Sequence, residues 1–183
     1  AVLKTSCGAP SEQNSSDKAA NYLKSYQVAI ESDERYLIGS YVLLWGQKQE
    51  RTPTWYGMFL ERRPELGLDG EGLPTVDAMV TSWSGSPPKN RCPVIERLRV
   101  AGKSADRGIE LPSRSRVEAV CAARDPDGDR IRIIWEMLEE PTELGTGGSF
   151  EPRPPGVRGA VLGSGPRVRI GLPRPGAYRL FVY

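Results

Sequence analysis

The sequence contains no histidine. That absence removes the commonest general base, the commonest zinc ligand and every Ser-His or Cys-His nucleophile pair. Catalysis would fall to carboxylates, Lys, Tyr or Cys. Cysteine is scarce too: Cys7, Cys92 and Cys121 share no metal-ligand spacing, and three thiols cannot all pair within one chain. They are expected to be isolated thiols, and no metal or cofactor is expected. No apolar run approaches the roughly 20 residues of a membrane-spanning helix, and no signal-peptide core is present. Charge of one sign is also lacking. The 25 Lys and Arg residues are interleaved with 23 Asp and Glu, giving a net +2. Nucleic acid, or another polyanion, is therefore not expected as a partner, and neither is a membrane.

What is present changes character along the 183 residues. Ser84-Gly85-Ser86-Pro87-Pro88-Lys89-Asn90-Arg91 is punctuated by Gly, Ser and Pro, and no periodicity survives across it. It reads as a linker between a domain over 1–86 and another over 87–183. Before it, Ser15-Ser16-Asp17 offers a helix cap and an acidic first turn. Ala19, Tyr22, Leu23, Tyr26 and Ile30 then recur at helical spacing. Leu37 to Leu44 is nearly all apolar, which predicts a strand covered on both faces, as in a parallel sheet. Pro74-Thr75 opens a second helix with Val76, Met79, Val80 and Trp83 on one face, and 65–72 reads as a loop.

After the linker, short strand-like runs alternate with Gly, Pro, Asp and Ser clusters: Ile95–Val100, Val117–Ala122, Ile131–Trp135, Val168–Leu172 and Tyr178–Tyr183. That rhythm predicts a β-sandwich. Asp125-Pro126-Asp127-Gly128-Asp129 is a turn by composition, and Trp135 is expected in the core. The Pro- and Gly-rich segment 151–166 is expected to be a surface loop. Asp125, Asp127 and Asp129 alternate like the first ligands of a calcium loop, but the closing glutamate is missing and position 138 is Leu; a plain turn is the simpler reading. Gly145-Thr146-Gly147-Gly148 lacks the Lys-Ser/Thr ending of a phosphate loop. Arg167 and Arg169 read as the solvated face of a strand.

The densest chemistry lies where the apolar run ends. Trp45, Gln47, Gln49, Glu50, Arg51, Trp55 and Tyr56 crowd into twelve positions. Sugars call for such a mixture, with aromatic faces for C–H surfaces and amides or charges for hydroxyls. Buried polar groups without partners cost about 1–3 kcal/mol each, so these residues either pair with one another or stay open to a ligand. The plainer alternatives are a local Glu50–Arg51 ion pair, Trp55 and Tyr56 as loop packing, and Trp45 as core.

The run Gly39-Ser40-Tyr41-Val42-Leu43-Leu44-Trp45-Gly46-Gln47-Lys48-Gln49-Glu50-Arg51-Thr52-Pro53-Thr54-Trp55-Tyr56-Gly57 resembles the last barrel strand and its loop in bacterial TIM-barrel glycoside hydrolases of the family 2-like or cellulase-like kind. The helices around Lys18-Ala19-Ala20-Asn21-Tyr22 and Pro74-Thr75-Val76-Asp77-Ala78-Met79, and the segment with Asp125-Pro126-Asp127-Gly128-Asp129 and Trp135, look similar as well. The resemblance implies an α/β plus all-β chain: the C-terminal part of a (β/α)8 barrel followed by an immunoglobulin-like β-sandwich. It implies that Trp45 floors the subsite of the reacting sugar, with an oligo- or polysaccharide as substrate. Such barrels cut with two glutamates placed after the fourth and seventh strands. Both would lie upstream of Ala1, so no catalytic residue is expected here and the piece alone is expected to be inactive. The chain starts without Met and closes inside an apparent strand, which agrees with a piece of a longer protein, secreted or periplasmic being the favoured compartment. The alternatives are a non-catalytic sandwich module that binds carbohydrate or protein, and a structural or adhesion protein.

Overall fold

The structure, a computed structural model, describes residues 3–33, 35–104, 108–145 and 148–183; of Asp33 it describes the backbone alone. It is β-rich, with two helices and two antiparallel sheets among the described residues. The chain divides into two compact units. One holds Gln13–Val94 with Asp125–Asp129; the other holds Ala1–Glu12, Ile95–Arg124 and Arg130–Tyr183.

The first unit is built on helices α1 (Ser15–Ala29) and α2 (Pro74–Ser84), which pack against each other. The cap of α1 is Asn14, one residue before the predicted Ser15: its side-chain oxygen accepts the Asp17 N–H at 2.8 Å. Helix α2 starts with Pro74 in its first turn, where the missing N–H costs nothing. It stops at Gly85, whose φ of 75° places it in the left-handed region. Met58, Leu68, Leu73, Ala78 and Met79 are buried here.

The predicted strand over Leu37–Leu44 does not form. The segment has no regular structure, and Ile38 and Tyr41 are fully exposed at 102% and 101%. The reason lies in its neighbours. A strand needs partners for its backbone groups, and between residues 13 and 93 the described chain forms no strand for it to pair with.

The second unit carries strands β1 (Val94–Val100), β2 (Lys103–Ser104), β3 (Arg116–Arg124), β4 (Trp135–Glu139), β5 (Val161–Leu162), β6 (Arg167–Gly171) and β7 (Tyr178–Val182). One sheet has the order β2-β1-β3-β6-β5 and the other pairs β4 with β7. Alternation along β3 and β6 sends Ala119, Cys121, Val168 and Ile170 inward, where they meet Val100, Trp135 and Met137 in one apolar cluster. Trp135 is buried and donates its indole N–H to the Gly165 carbonyl at 2.8 Å.

Two expectations shift in this unit. The strand expected over Ile131–Trp135 begins at Trp135 instead, because β7 fixes the register from Trp135↔Val182 to Glu139↔Tyr178; only Ile134 extends it, by bonding Tyr183. Met137 and Leu138 are thereby buried. Segment 151–166 is not simply a surface loop. Glu151 and Ala160 are buried, and Val161 pairs with Ile170.

Candidate functional site

Every residue singled out after the apolar run lies on or beside one closed loop, 46–57. Its base is a pair of backbone bonds: the Gly46 carbonyl accepts the N–H groups of Met58 at 2.9 Å and Phe59 at 3.3 Å. Gly57 sits within that closure. A Cβ there would lie 3.2 Å from the Gly46 oxygen and 3.3 Å from the Phe59 oxygen, so a larger residue would push the two sides of the closure apart by a few tenths of an ångström. Thr52 and Pro53, both fully buried, anchor the far side. Gln47 donates to the Pro53 carbonyl at 3.2 Å, and Lys18 on α1 donates to the Thr54 and Trp55 carbonyls at 2.7 and 3.3 Å.

Within this frame Arg51 is strained. Its φ is 61°, uncommon for a residue with a side chain, and the Thr52 N–H bonds back to the Glu50 carbonyl at 2.7 Å. This is the rarer, positive-φ kind of γ-turn. Such backbone costs about 1–3 kcal/mol and persists only where its surroundings over-determine it. The two charged side chains on either side of this turn have these contacts. Glu50 binds Lys48 at 2.9 Å, and the Arg51 guanidinium lies 5.1 Å from the centre of the Trp55 ring.

The aromatic residues form two groups. Trp55 and Tyr56 meet edge to face at 6.4 Å, next to Arg51. Trp45 is held elsewhere, edge-on to Phe59 at 5.5 Å and tilted against Trp83 at 5.7 Å. Trp45 is 53% exposed and Trp83 49%, so neither is core. Trp83 was assigned to the apolar face of α2 by its spacing; the structure leaves it half open beside Trp45, with its N–H directed at the Ser40 hydroxyl at 3.3 Å. Only the tertiary contact reveals that role. Gln49 completes the set. Both polar atoms of its amide are buried and meet no hydrogen-bond partner among the described residues.

The other tempting positions resolve into structure. The Asp127 carboxylate accepts three bonds from Arg91: the backbone N–H at 2.6 Å, Nε at 3.0 Å and the terminal nitrogen at 2.7 Å. Asp125 accepts the N–H groups of Asp127 at 2.8 Å and Asp129 at 3.1 Å. The acidic stretch is thus an Asx-type turn tied to Arg91, and among the described residues no three His, Cys, Asp or Glu are grouped to hold a metal. Hydrogen bonding from Arg91 holds the Asp127 carboxyl below its ordinary 3.8. A carboxyl that is more acidic when folded stabilises the fold above its unfolded pKa and loses that effect as pH falls through the folded value. Urea midpoints of wild type and Asp127→Asn should therefore differ at neutral pH and converge once pH drops well below 3.8.

The thiols differ from one another in setting. Burial, with the Asp77 carboxylate nearby, pushes Cys92 up to about 12, and burial raises Cys121. The exposed Cys7 is lowered by its Thr5 hydroxyl neighbour.

In comparisons with known proteins, no family model and no curated protein matches the chain.

Proposed function

We propose that this chain is the C-terminal part of a glycoside hydrolase, in which the 46–57 loop walls the sugar-binding pit of a (β/α)8 barrel. The carrying observation is Trp45: a half-exposed indole fixed between two other rings at the base of a loop that is rigid, strained and closed on itself. Binding surfaces need aromatic faces that are exposed and immobile together, since ordering them on binding costs affinity. Two further observations agree. Leu37, Ile38, Tyr41 and Leu43 expose apolar side chains that call for a covering partner. The strain at Arg51 fits a functional loop. In this reading Gln47, Gln49, Glu50, Arg51, Trp55 and Tyr56 contact sugar hydroxyls and edges, and the two cutting glutamates belong to barrel strands outside this chain. The second unit is then an accessory immunoglobulin-like sandwich, its two sheets closing over Trp135.

The test is a titration of neutral β-linked gluco-oligosaccharides followed by tryptophan fluorescence. Wild type should bind weakly and turn over no aryl glycoside. Trp45→Ala should abolish the signal while moving the melting temperature by no more than about 3 °C, because an exposed ring contributes little to folding. A collapse of the melting temperature would return Trp45 to the core. Turnover that disappears on Glu50→Gln would overturn the assignment of the acids to other strands.

A further inference from the structure

The interleaving of charges along the sequence conceals how the fold sorts them. In the five-stranded sheet, the side chains opposite the apolar cluster include Arg97 and Arg99 on β1, Arg116 and Glu118 on β3, and Arg167 and Arg169 on β6. Strand pairing places Glu118 across from Arg169 and Arg116 across from Gly171. The outer face thus presents five guanidinium groups to one carboxylate. Glu118 is committed to Arg167. At the end of the sheet, Glu96 and Arg124 neutralise each other at 2.8 Å. Arg97, Arg99, Arg116 and Arg169 form no ion pair with any described carboxylate.

Two hollows open on this array. One, of about 310 Å³, is bounded by Arg97, Arg99, Gly102, Glu118 and Val120. The other, of about 290 Å³, lies at the sheet's end, where Arg116 is joined by Arg114 and Arg158. Ser115 also lines it, and its hydroxyl is buried without a partner among the described residues. Residues two apart on a strand stand about 6.7 Å apart, and neighbouring strands about 4.8 Å, so the unpaired forks form a regular grid. Like charges gathered this closely repel one another, and among the described residues Glu118, already bonded to Arg167, is the carboxylate that stands within the array.

We infer that the outer face of the five-stranded sheet is a docking surface for an acidic polysaccharide. Guanidinium groups bind carboxylate and sulfate oxygens through two parallel N–H bonds, and they bind them repeatedly when the partner carries an anion on each sugar. A polysaccharide is the committed partner because the face can pair with anions but reads nothing else of a nucleic acid: among the described residues it carries no aromatic ring for stacking a single strand, and a five-stranded sheet face does not enter the major groove, which admits a helix or a two-stranded ribbon. Single-stranded DNA in the test separates binding by phosphate charge alone. This inference concerns the second unit alone and stands whether or not the 46–57 loop holds a sugar.

The experiment is affinity electrophoresis of the full chain through gels containing polygalacturonate, a neutral glucan or single-stranded DNA. Wild type should be retarded by polygalacturonate more strongly than by single-stranded DNA, and that retardation should fall as salt rises. Arg97→Gln with Arg99→Gln should weaken retardation at least tenfold. Arg116→Gln with Arg169→Gln should do the same and serves if the first pair perturbs folding. Lys24→Gln with Arg62→Gln removes the same charge from the first unit and should change nothing. Absence of retardation, equal losses in all double variants, or stronger retardation by DNA would overturn the inference.

Discussion

Met58→Ala is expected to cost about 2–5 kcal/mol, enough to remove a large part of the first unit's stability. Met58 has no exposed surface and is among the largest fully enclosed side chains of the chain. Its backbone is equally committed: its N–H closes the 46–57 loop on the Gly46 carbonyl, and its own carbonyl accepts the Leu73 N–H at 2.9 Å just before α2 begins. Truncation removes the thioether's dispersion contacts and leaves a cavity where a fully enclosed side chain stood. The loss should therefore appear twice. Urea denaturation would report the stability change, and tryptophan emission should alter below the main transition as the clamp on Trp45 loosens. Met58→Leu conserves volume and should cost under about 1.5 kcal/mol. A small effect of Met58→Ala would mean that the loop is held by its own backbone bonds and not by the core beneath it. That result would weaken the rigid-platform reading of Trp45.

The second large effect is expected at Glu140. Arg179 on β7 grips this carboxylate with both prongs, Nε at 2.6 Å and the terminal nitrogen at 2.8 Å, and also donates to the Pro10 carbonyl at 2.6 Å. The side chains are only 15% and 13% exposed. Removing one member of such a pair strands the other charge away from water. Glu140→Ala is therefore expected to destabilise the second unit by about 3–5 kcal/mol. Replacing both, Glu140→Leu with Arg179→Met, should recover most of the loss, because it removes both desolvation penalties. The neighbouring Arg174–Glu139 pair has the same short contact, 2.7 Å, but Arg174 is 70% exposed. Glu139→Ala should cost under about 1 kcal/mol. Guanidinium denaturation of the three variants, followed by far-UV circular dichroism, would separate these outcomes. If Glu140→Ala and Glu139→Ala cost the same, Arg179 is solvated in practice and burial is not what sets the strength of the pair.

The two pairs show how far distance alone misleads. Each joins an Arg to a Glu at nearly equal separation. What distinguishes them is how much water each charge keeps, and no local sequence carries that information.

Local signals were readable where a structural choice is made locally. Pro74 and Gly85 punctuate α2 because one lacks an N–H and the other tolerates positive φ, and both facts belong to single residues. Strands β1, β3, β6 and β7 followed from short alternating runs between turn formers. The turn at Asp125 followed from side chains that bond their own backbone. β4 is not legible locally because 131–139 offers two overlapping apolar windows, and pairing with β7 chooses between them. The stretch Leu37–Leu44 forms no strand for a related reason: its composition declares a readiness to pair, and pairing requires a partner.

The candidate site divides along the same line. The crowding of Trp45, Gln47, Gln49, Glu50, Arg51, Trp55 and Tyr56 was visible in the sequence because these residues are neighbours in it. Their sorting was not. Trp45 turns to Phe59 and Trp83, Arg51 lies over Trp55, and Glu50 takes Lys48, contacts set by where the closed loop places each side chain.

By itself the sequence determined the absence of histidine chemistry, the positions of most helices and strands, and a polar-aromatic cluster at residues 45–56. Tertiary structure alone decided which of those rings stay open to solvent and which carboxylate is desolvated. It alone gathered evenly interleaved arginines onto one side of a sheet. The physical reason is range. Caps, turns and alternation act over a few residues, whereas exposure and electric field sum over every element that packs nearby, and chain order does not encode that sum locally.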